Sequence, residues 1–186
     1  MLLYITIQYD IGGLAMQKGK TKDLTILGLL VALIAVSTMV IQIPVPATEG
    51  YIHLGDSMIF LAAILFGYRY GMIAGGVGSA LADILTGYAH WAIPTLIIKG
   101  LMGYIVGKIA DNENDKIMNI RNIVALVIGA LWMVVGYYFG GAILQGSLKV
   151  PLASIPSNLI QGFGGAIIFV PIGAALKKTD ITNKYV

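Results

Sequence analysis

Cysteine is absent from the 186-residue chain, and this absence excludes disulfide bonds, cysteine-based metal sites and thiol chemistry. Charged residues are scarce as well: they make up 11% of the sequence, whereas a soluble domain carries about 25%. So few charges cannot cover the surface of a soluble domain. Because 58% of the residues are hydrophobic and the mean hydropathy is +0.85, the composition indicates an integral membrane protein of the helical kind.

Histidine is also rare, since the chain has only two. Two histidines with one or two neighbouring acids do not make a convincing metal site, so we expect no metal. The net charge of +3 comes from lysines and arginines in the loops. It therefore bears on membrane topology, and we expect no nucleic-acid partner.

Apolar stretches of spanning length recur along the chain, and they predict an all-α membrane protein with a single bundle of six transmembrane helices. The predicted helices cover Leu24–Ile43, Leu54–Tyr68, Tyr70–Gly87, Pro94–Ile109, Ile123–Leu144 and Pro156–Leu176. The segment Ile43–His53 is predicted to be a loop, because Pro44, Pro46 and Gly50 interrupt regular structure there.

The first 17 residues fit poorly with the rest of the chain, because their apolar run is short and Asp10 interrupts it. They also lack the small-residue cleavage site that follows a signal peptide. We interpret residues 1–17 as a non-native or disordered extension, with Met16 as the native start. The six-helix domain is then predicted over residues 18–178 and a cytoplasmic tail over residues 179–186.

Basic residues fall almost entirely on one side of the predicted bundle, which sets its orientation. Only Lys149 lies in a loop on the opposite side, and Lys99 lies inside a helix. This asymmetry predicts that both termini face the cytoplasm. The basic residues on the predicted cytoplasmic side are Lys18, Lys20, Lys22, Arg69, Lys108, Lys116, Arg121, Lys177, Lys178 and Lys184.

Two ionisable residues, Asp83 and Lys99, lie inside the third and fourth predicted helices. A charge at the centre of a spanning helix costs ~2.5–3.5 kcal/mol on insertion scales, so its presence indicates a function. The helical rise places the two residues at similar depth, below the outer ends of their helices. They either pair with each other or contact a ligand directly.

Other polar and aromatic residues fall at the same outer level. Each has a second interpretation: Asp56 as a helix N-cap, His90 and Trp91 as interfacial residues, and the amides as hydrogen bonds between helices. Since Tyr137 and Tyr138 are adjacent, only one of them can face inward. With the two charges, the predicted substrate-binding residues are Asp83, Lys99, Trp91, His90, Asp56, Tyr138, Asn158 and Gln161. His53 and Glu49 are interpreted as solvated loop residues.

The inner halves of the predicted helices carry almost nothing comparable. A polar, aromatic-lined concavity on the outer side, with no matching pathway on the inner side, favours capture of a ligand over conduction.

The segment from His53 to Gly107 contains a characteristic order of short motifs. It reads HLGDSMIFLAAILFGYRYGMIAGGVGSALADILTGY, followed by Trp91 and then by PTLIIKGLMGYIVG. This segment resembles the substrate-binding membrane subunits, or S components, of energy-coupling-factor (ECF) vitamin transporters. The closest group is the riboflavin-transporter-like branch, which includes subunits for hydroxymethylpyrimidine or pyridoxine.

The resemblance implies a multi-pass protein of the bacterial cytoplasmic membrane that binds a vitamin near its outer face and uses Ile43–His53 as a lid. It implies no enzymatic activity and no cofactor in this chain. ATP and Mg²⁺ would act in two ATP-binding partner subunits, which work with a coupling transmembrane subunit. The family often docks through an Ala-x-x-x-Ala motif, whose nearest match here is Gly28 and Ala32, with Ala35 out of register.

The mixed charge and aromatic character of the predicted pocket favour a small, flat, hydroxylated heteroaromatic ring such as hydroxymethylpyrimidine or pyridoxine. The alternatives are riboflavin, pantothenate or another vitamin, or a facilitator that transports a small molecule without partners. A purely structural membrane subunit would leave Asp83 and Lys99 without a role. An intramembrane enzyme is disfavoured, because no catalytic constellation of side chains is present.

Overall fold

The computed structural model describes residues 2–45, 50–114 and 116–179, with side chains described from residue 20 onward. These residues form six α-helices, as the apolar stretches predict, together with one pair of short strands. The elements in chain order are α1 Leu2–Val40, β1 Gln42–Val45, β2 Gly50–His53, α2 Gly55–Phe66, α3 Tyr68–Leu85, α4 Ala92–Ile109, α5 Ile120–Gln145 and α6 Ile155–Lys177. Short 3₁₀ turns precede α4 (Ala89–Trp91) and α6 (Val150–Ser154).

Four helical segments of the described chain are long and apolar enough to cross a membrane. They are Lys20–Val40 within α1, Ala89–Ile109, Ile120–Gln145 and Val150–Lys177. The backbone of residues 2–19 continues α1. The interpretation of residues 1–17 as a non-native or disordered extension, with Met16 as the native start, remains a prediction. The tail from residue 180 onward lies outside the described residues, and the cytoplasmic location of both termini also remains a prediction.

The helix α2 has only 12 residues, yet it lies in the middle of the bundle against α1, α3, α4 and α6. Its apolar side chains Ile59, Phe60 and Ile64 are completely buried. A helix that is apolar all round is buried all round, because no face of it is suited to water. This central position explains why a helix too short to be a typical span belongs to the core.

The predicted loop between the first two helices is partly wrong, because β1 and β2 form an antiparallel pair with Ile43 opposite Ile52 and Gln42 opposite His53. Isoleucine, valine and tyrosine in these segments favour strands. Pro44 is tolerated because a two-stranded sheet has free edges where its missing N–H is not needed. Residues 46–49, including Glu49, lie outside the described residues.

Helices α3 and α4 approach each other until their backbones touch, and glycines allow this contact. A Cβ atom built on Gly103 would lie 2.1 Å from the backbone oxygen of Gly71, and one on Gly107 would lie 2.4 Å from the Cα of Tyr68. Neither glycine can carry a side chain without moving the helices apart. The tight α3–α4 pair sets the distance between Asp83 and the side chains of α4.

Candidate functional site

A cavity lies between the hairpin and the ends of α3, α4, α5 and α6. The open space there, including the mouth toward solvent, is about 560 Å³. The cavity is lined by Val45, Tyr51, His53, Asp83, Trp91, Thr95, Tyr137, Gly141, Gln145, Pro151, Ser154, Ser157, Asn158 and Gln161. The hairpin therefore supplies part of the cavity wall.

Aromatic side chains form two sides of the cavity. The ring centroids of Trp91 and Tyr137 lie 5.6 Å apart, and those of Tyr51 and Tyr88 lie 4.6 Å apart. The Tyr137 hydroxyl lies 3.1 Å from the Thr95 hydroxyl, so α5 and α4 are joined beside the cavity. These rings give flat apolar faces to a ligand, and the hydroxyls give polar atoms at their edges.

Asp83 is the only acidic residue that lines the cavity in the described part of the chain. The hydroxyl of Tyr51 donates a hydrogen bond of 2.7 Å to its Oδ1, while its Oδ2 is buried without a partner among the described residues. Burial and the charge of Asp83 raise the pKa of Tyr51, so the phenol keeps its proton and remains a donor. One carboxylate oxygen is thus fixed by the hairpin and the other is unused.

Lys99 pairs with Asp56 rather than with Asp83, which corrects one of the two alternatives from the sequence. The Nζ of Lys99 contacts Oδ1 of Asp56, and both side chains are completely buried. Neither residue lines the cavity. The ammonium group instead lies 5.2 Å from the centroid of the Tyr137 ring, so Lys99 supports the cavity wall from behind.

A chain of hydrogen bonds connects this ion pair to the hairpin. The Nε2 of Gln161 donates to Oδ2 of Asp56 at 3.2 Å, and Oε1 of Gln161 accepts from the backbone N–H of His53 at 3.0 Å. These contacts join α4, α2, α6 and β2. Each of these buried polar groups thus has a hydrogen-bond partner, as is usual for buried polar groups.

His53 is buried and lines the cavity, so its interpretation as a solvated loop residue is wrong. The cause is the strand β2, which carries the residue inward against Gln161 of α6. Its Nδ1 accepts a hydrogen bond of 3.0 Å from the backbone N–H of Gly55. Burial lowers the pKa of His53 to about 3, and the positive charge of Lys99 adds to this effect against the opposing charge of Asp56. The imidazole is therefore neutral at ordinary pH.

The buried neutral His53 predicts a specific loss of stability in acid. Below its ordinary pKa of about 6.5 the unfolded chain binds a proton at this residue while the folded chain does not, so stability falls as the pH is lowered toward 3. From this residue alone, the free energy of unfolding is expected to be about 2 kcal/mol lower at pH 5 than at pH 8. Equilibrium unfolding in mixed micelles at both pH values measures it.

The variant His53→Gln is the control for this measurement, because other groups also titrate between pH 8 and pH 5. The difference between the wild type and this variant in how stability changes with pH gives the contribution of His53. Parallel pH profiles for the two proteins would contradict a neutral His53.

The structure brings four of the predicted substrate-binding residues to the cavity wall: Asp83, Trp91, Asn158 and Gln161. It places Asp56 and Lys99 behind the wall. His90 is exposed and Tyr138 donates to the backbone oxygen of Leu148, so both lie outside the lining. Of the two adjacent tyrosines it is Tyr137 that faces the cavity. A substrate-binding role remains a prediction for all eight.

Several lining residues were not foreseen, among them Tyr51, His53, Thr95 and Tyr137. Alternation of Tyr51 and His53 around Ile52 is a strand pattern that could have placed both side chains on one face. Within the described ranges no three acidic or histidine side chains come close enough to hold a metal ion.

Comparison with known proteins identifies the family of the chain. The model of the family "ECF-type riboflavin transporter, S component" matches residues 18–178. The thiamine precursor transporter HmpT of Lactococcus lactis subsp. cremoris is 29% identical over 171 residues, which cover 91% of this chain and 96% of that protein. Both findings agree with the resemblance of the segment from His53 to Gly107.

Two further relatives have no described activity in their names. An uncharacterised protein of Pyrococcus woesei is 41% identical over 145 residues, which cover 78% of this chain and 95% of that protein. A UPF0397 protein of Streptococcus pneumoniae is 30% identical over 155 residues, which cover 78% of this chain and 84% of that protein. Since the family model spans most of the sequence, the chain belongs to the S-component family of ECF-type riboflavin transporters, a family of membrane transport subunits.

Proposed function

We propose that this chain is the substrate-binding subunit of an ATP-driven ECF importer, and that it captures hydroxymethylpyrimidine or a closely similar vitamin precursor. The observation that carries the proposal is a cavity that Asp83 lines together with Trp91 and Tyr137, while the buried Oδ2 of Asp83 has no hydrogen bond among the described residues. A buried carboxylate oxygen without a donor is costly, and a ligand that supplies an N–H or O–H group removes this cost.

The dimensions and polarity of the cavity favour a small flat ring over a large or anionic ligand. Trp91 and Tyr137 offer faces for stacking, and Asn158 and Ser157 offer hydrogen bonds at the edge. The unpaired oxygen of Asp83 would repel an anionic group placed next to it. Hydroxymethylpyrimidine has an exocyclic amine, ring nitrogens and a hydroxyl, and the name of the HmpT relative, a thiamine precursor transporter, is consistent with this choice.

Energy for transport is proposed to come from a coupling transmembrane subunit and two ATP-binding subunits that hold ATP and Mg²⁺. The first helix would dock on the coupling subunit. Gly28 and Ala32 are exposed on α1, and a Cβ on Gly28 would meet nothing within 4 Å, so both are free to contact a partner helix. Ala35 is 7% exposed and packs inside the bundle, which leaves Gly28 and Ala32 as the proposed docking residues.

Isothermal calorimetry on protein purified without ligand tests the substrate. The wild type is expected to bind hydroxymethylpyrimidine, and Asp83→Asn is expected to weaken binding at least tenfold, because the amide replaces one acceptor by a donor. Asp111→Asn is the matched control, since it makes the same chemical change in the α4–α5 loop, away from the cavity. Equal affinities of the Asp83→Asn variant and the wild type would remove Asp83 from the site.

Reconstitution into liposomes tests the transport mode. This chain alone is expected to bind the ligand without accumulating it, and accumulation is expected only with the partner subunits and ATP. Uptake by the isolated chain would identify it as a facilitator.

A further inference from the structure

The hydrogen bonds of His53 fix which of its ring nitrogens carries the proton. Nδ1 accepts from the backbone N–H of Gly55, so Nδ1 is unprotonated and the proton of the neutral ring lies on Nε2. Nε2 has no hydrogen-bond partner among the described residues, although His53 lines the cavity. An N–H donor without a partner, on a residue that lines a cavity, is a candidate ligand contact.

The position of this donor is held at two points of His53, its backbone N–H and its Nδ1. Gln161 holds the backbone of His53 through the bond from its N–H, and the buried pair of Lys99 and Asp56 holds Gln161 in turn. Gly55 packs closely against α1, because a Cβ atom there would lie only 2.1 Å from Oγ1 of Thr38. The imidazole is thus attached to the bundle through its backbone and through its ring.

We infer that His53 is a specificity-determining residue whose Nε2–H donates a hydrogen bond to an acceptor atom of the substrate, and that Gln161, Asp56 and Lys99 are positioning residues for it. The inference rests on the proposed function of the cavity and narrows its ligand class. The ligand must offer an unprotonated ring nitrogen to His53 while it offers a donor to Asp83. An aminopyrimidine meets both demands on a single ring.

Two amide variants separate this role from a structural one. His53→Asn puts an oxygen close to the position of Nδ1, so it retains the acceptor for Gly55 but has no donor that reaches the cavity. His53→Gln extends its amide N–H toward the position of Nε2. A donor role predicts that His53→Asn binds hydroxymethylpyrimidine at least tenfold more weakly than the wild type and that His53→Gln recovers much of this loss. A merely structural role predicts the reverse order.

A ligand analogue without ring nitrogens tests the same hydrogen bond from the side of the substrate. In the carbocyclic analogue of hydroxymethylpyrimidine both ring nitrogens are replaced by C–H, so no ring acceptor remains. The analogue is expected to bind the wild type at least tenfold more weakly than hydroxymethylpyrimidine, and this ratio is expected to shrink in His53→Asn. Ratios that are equal in the two proteins would overturn the inference while leaving the substrate itself established.

Nitrogen NMR of protein labelled with ¹⁵N-histidine tests the tautomer without any ligand. The chain has two histidines, and His90→Gln removes the second set of signals for assignment. The inference requires a protonated Nε2 and an unprotonated Nδ1 for His53 at neutral pH. The opposite tautomer overturns it. Failure of the wild type to bind hydroxymethylpyrimidine would overturn the proposed substrate, and the NMR result would then decide on His53 by itself.

Discussion

Replacement of Lys99 by methionine is expected to lower the free energy of unfolding by about 3–5 kcal/mol, because it removes one partner of a buried ion pair. The substitution leaves the carboxylate of Asp56 completely buried with only the amide of Gln161 as a donor. It also removes the cation behind the ring of Tyr137. Ligand affinity should fall at least tenfold, although Lys99 does not line the cavity, because the hairpin and the aromatic wall lose their support.

Equilibrium unfolding in mixed micelles, followed by tryptophan fluorescence, measures this change. Lys149→Met is the matched control, since Lys149 is exposed and forms no side-chain ion pair in the described structure, and it should leave stability unchanged. The double variant Lys99→Met with Asp56→Asn should recover part of the loss, because it removes the unpaired charge as well. A double variant that is no more stable than Lys99→Met would show that the charge of Asp56 is not the cause.

The helices could be predicted from the sequence because each consists of a long apolar run that contains little else. Even α2 was found, although it has only 12 residues, because its apolar character is continuous. The hairpin was missed for a local reason: two prolines and a glycine between residues 43 and 53 favour a loop. Pairing of two strands of four residues depends on support from the bundle, and local sequence does not report this support.

The partner of Lys99 could not be derived from depth in the membrane. The helical rise puts Asp83 and Lys99 at similar levels, but it does not say which way each side chain points around its helix. The structure shows that α2 lies in the centre of the bundle and presents Asp56 to Lys99. The continuous apolar character of α2 indicates that this helix is buried, but it does not indicate which helix Asp56 faces.

The burial of His53 has the same origin. A histidine near the end of a proline-containing connection, two positions before a glycine, has the pattern of a solvated residue. Its backbone N–H is bound by Gln161, which is 108 positions later in the chain, and no local pattern predicts such a contact. The site residues that were foreseen, such as Asp83 and Trp91, are those whose polarity stands out within or beside a spanning segment.

Replacement of Gly103 by alanine is expected to lower the free energy of unfolding by about 3 kcal/mol or more, at or above the upper end of the usual overpacking range. The added Cβ would lie 2.1 Å from the backbone oxygen of Gly71 and 2.3 Å from its carbonyl carbon. Backbone atoms cannot rotate away, so only separation of α3 and α4 relieves the clash. Separation would also shift Asp83 of α3 relative to Thr95 of α4, which lines the same cavity, so ligand affinity should fall together with stability.

Gly164→Ala is the matched control, because the same substitution on α6 would meet nothing within 4 Å. There alanine should leave stability unchanged or raise it by up to about 1 kcal/mol, since it is the better helix former. Unfolding of both variants in mixed micelles gives the comparison, and calorimetry gives the affinities. Similar stabilities of the two variants would mean that α3 and α4 can separate at little cost, and the packing of these helices could then not be what holds Asp83 at the cavity.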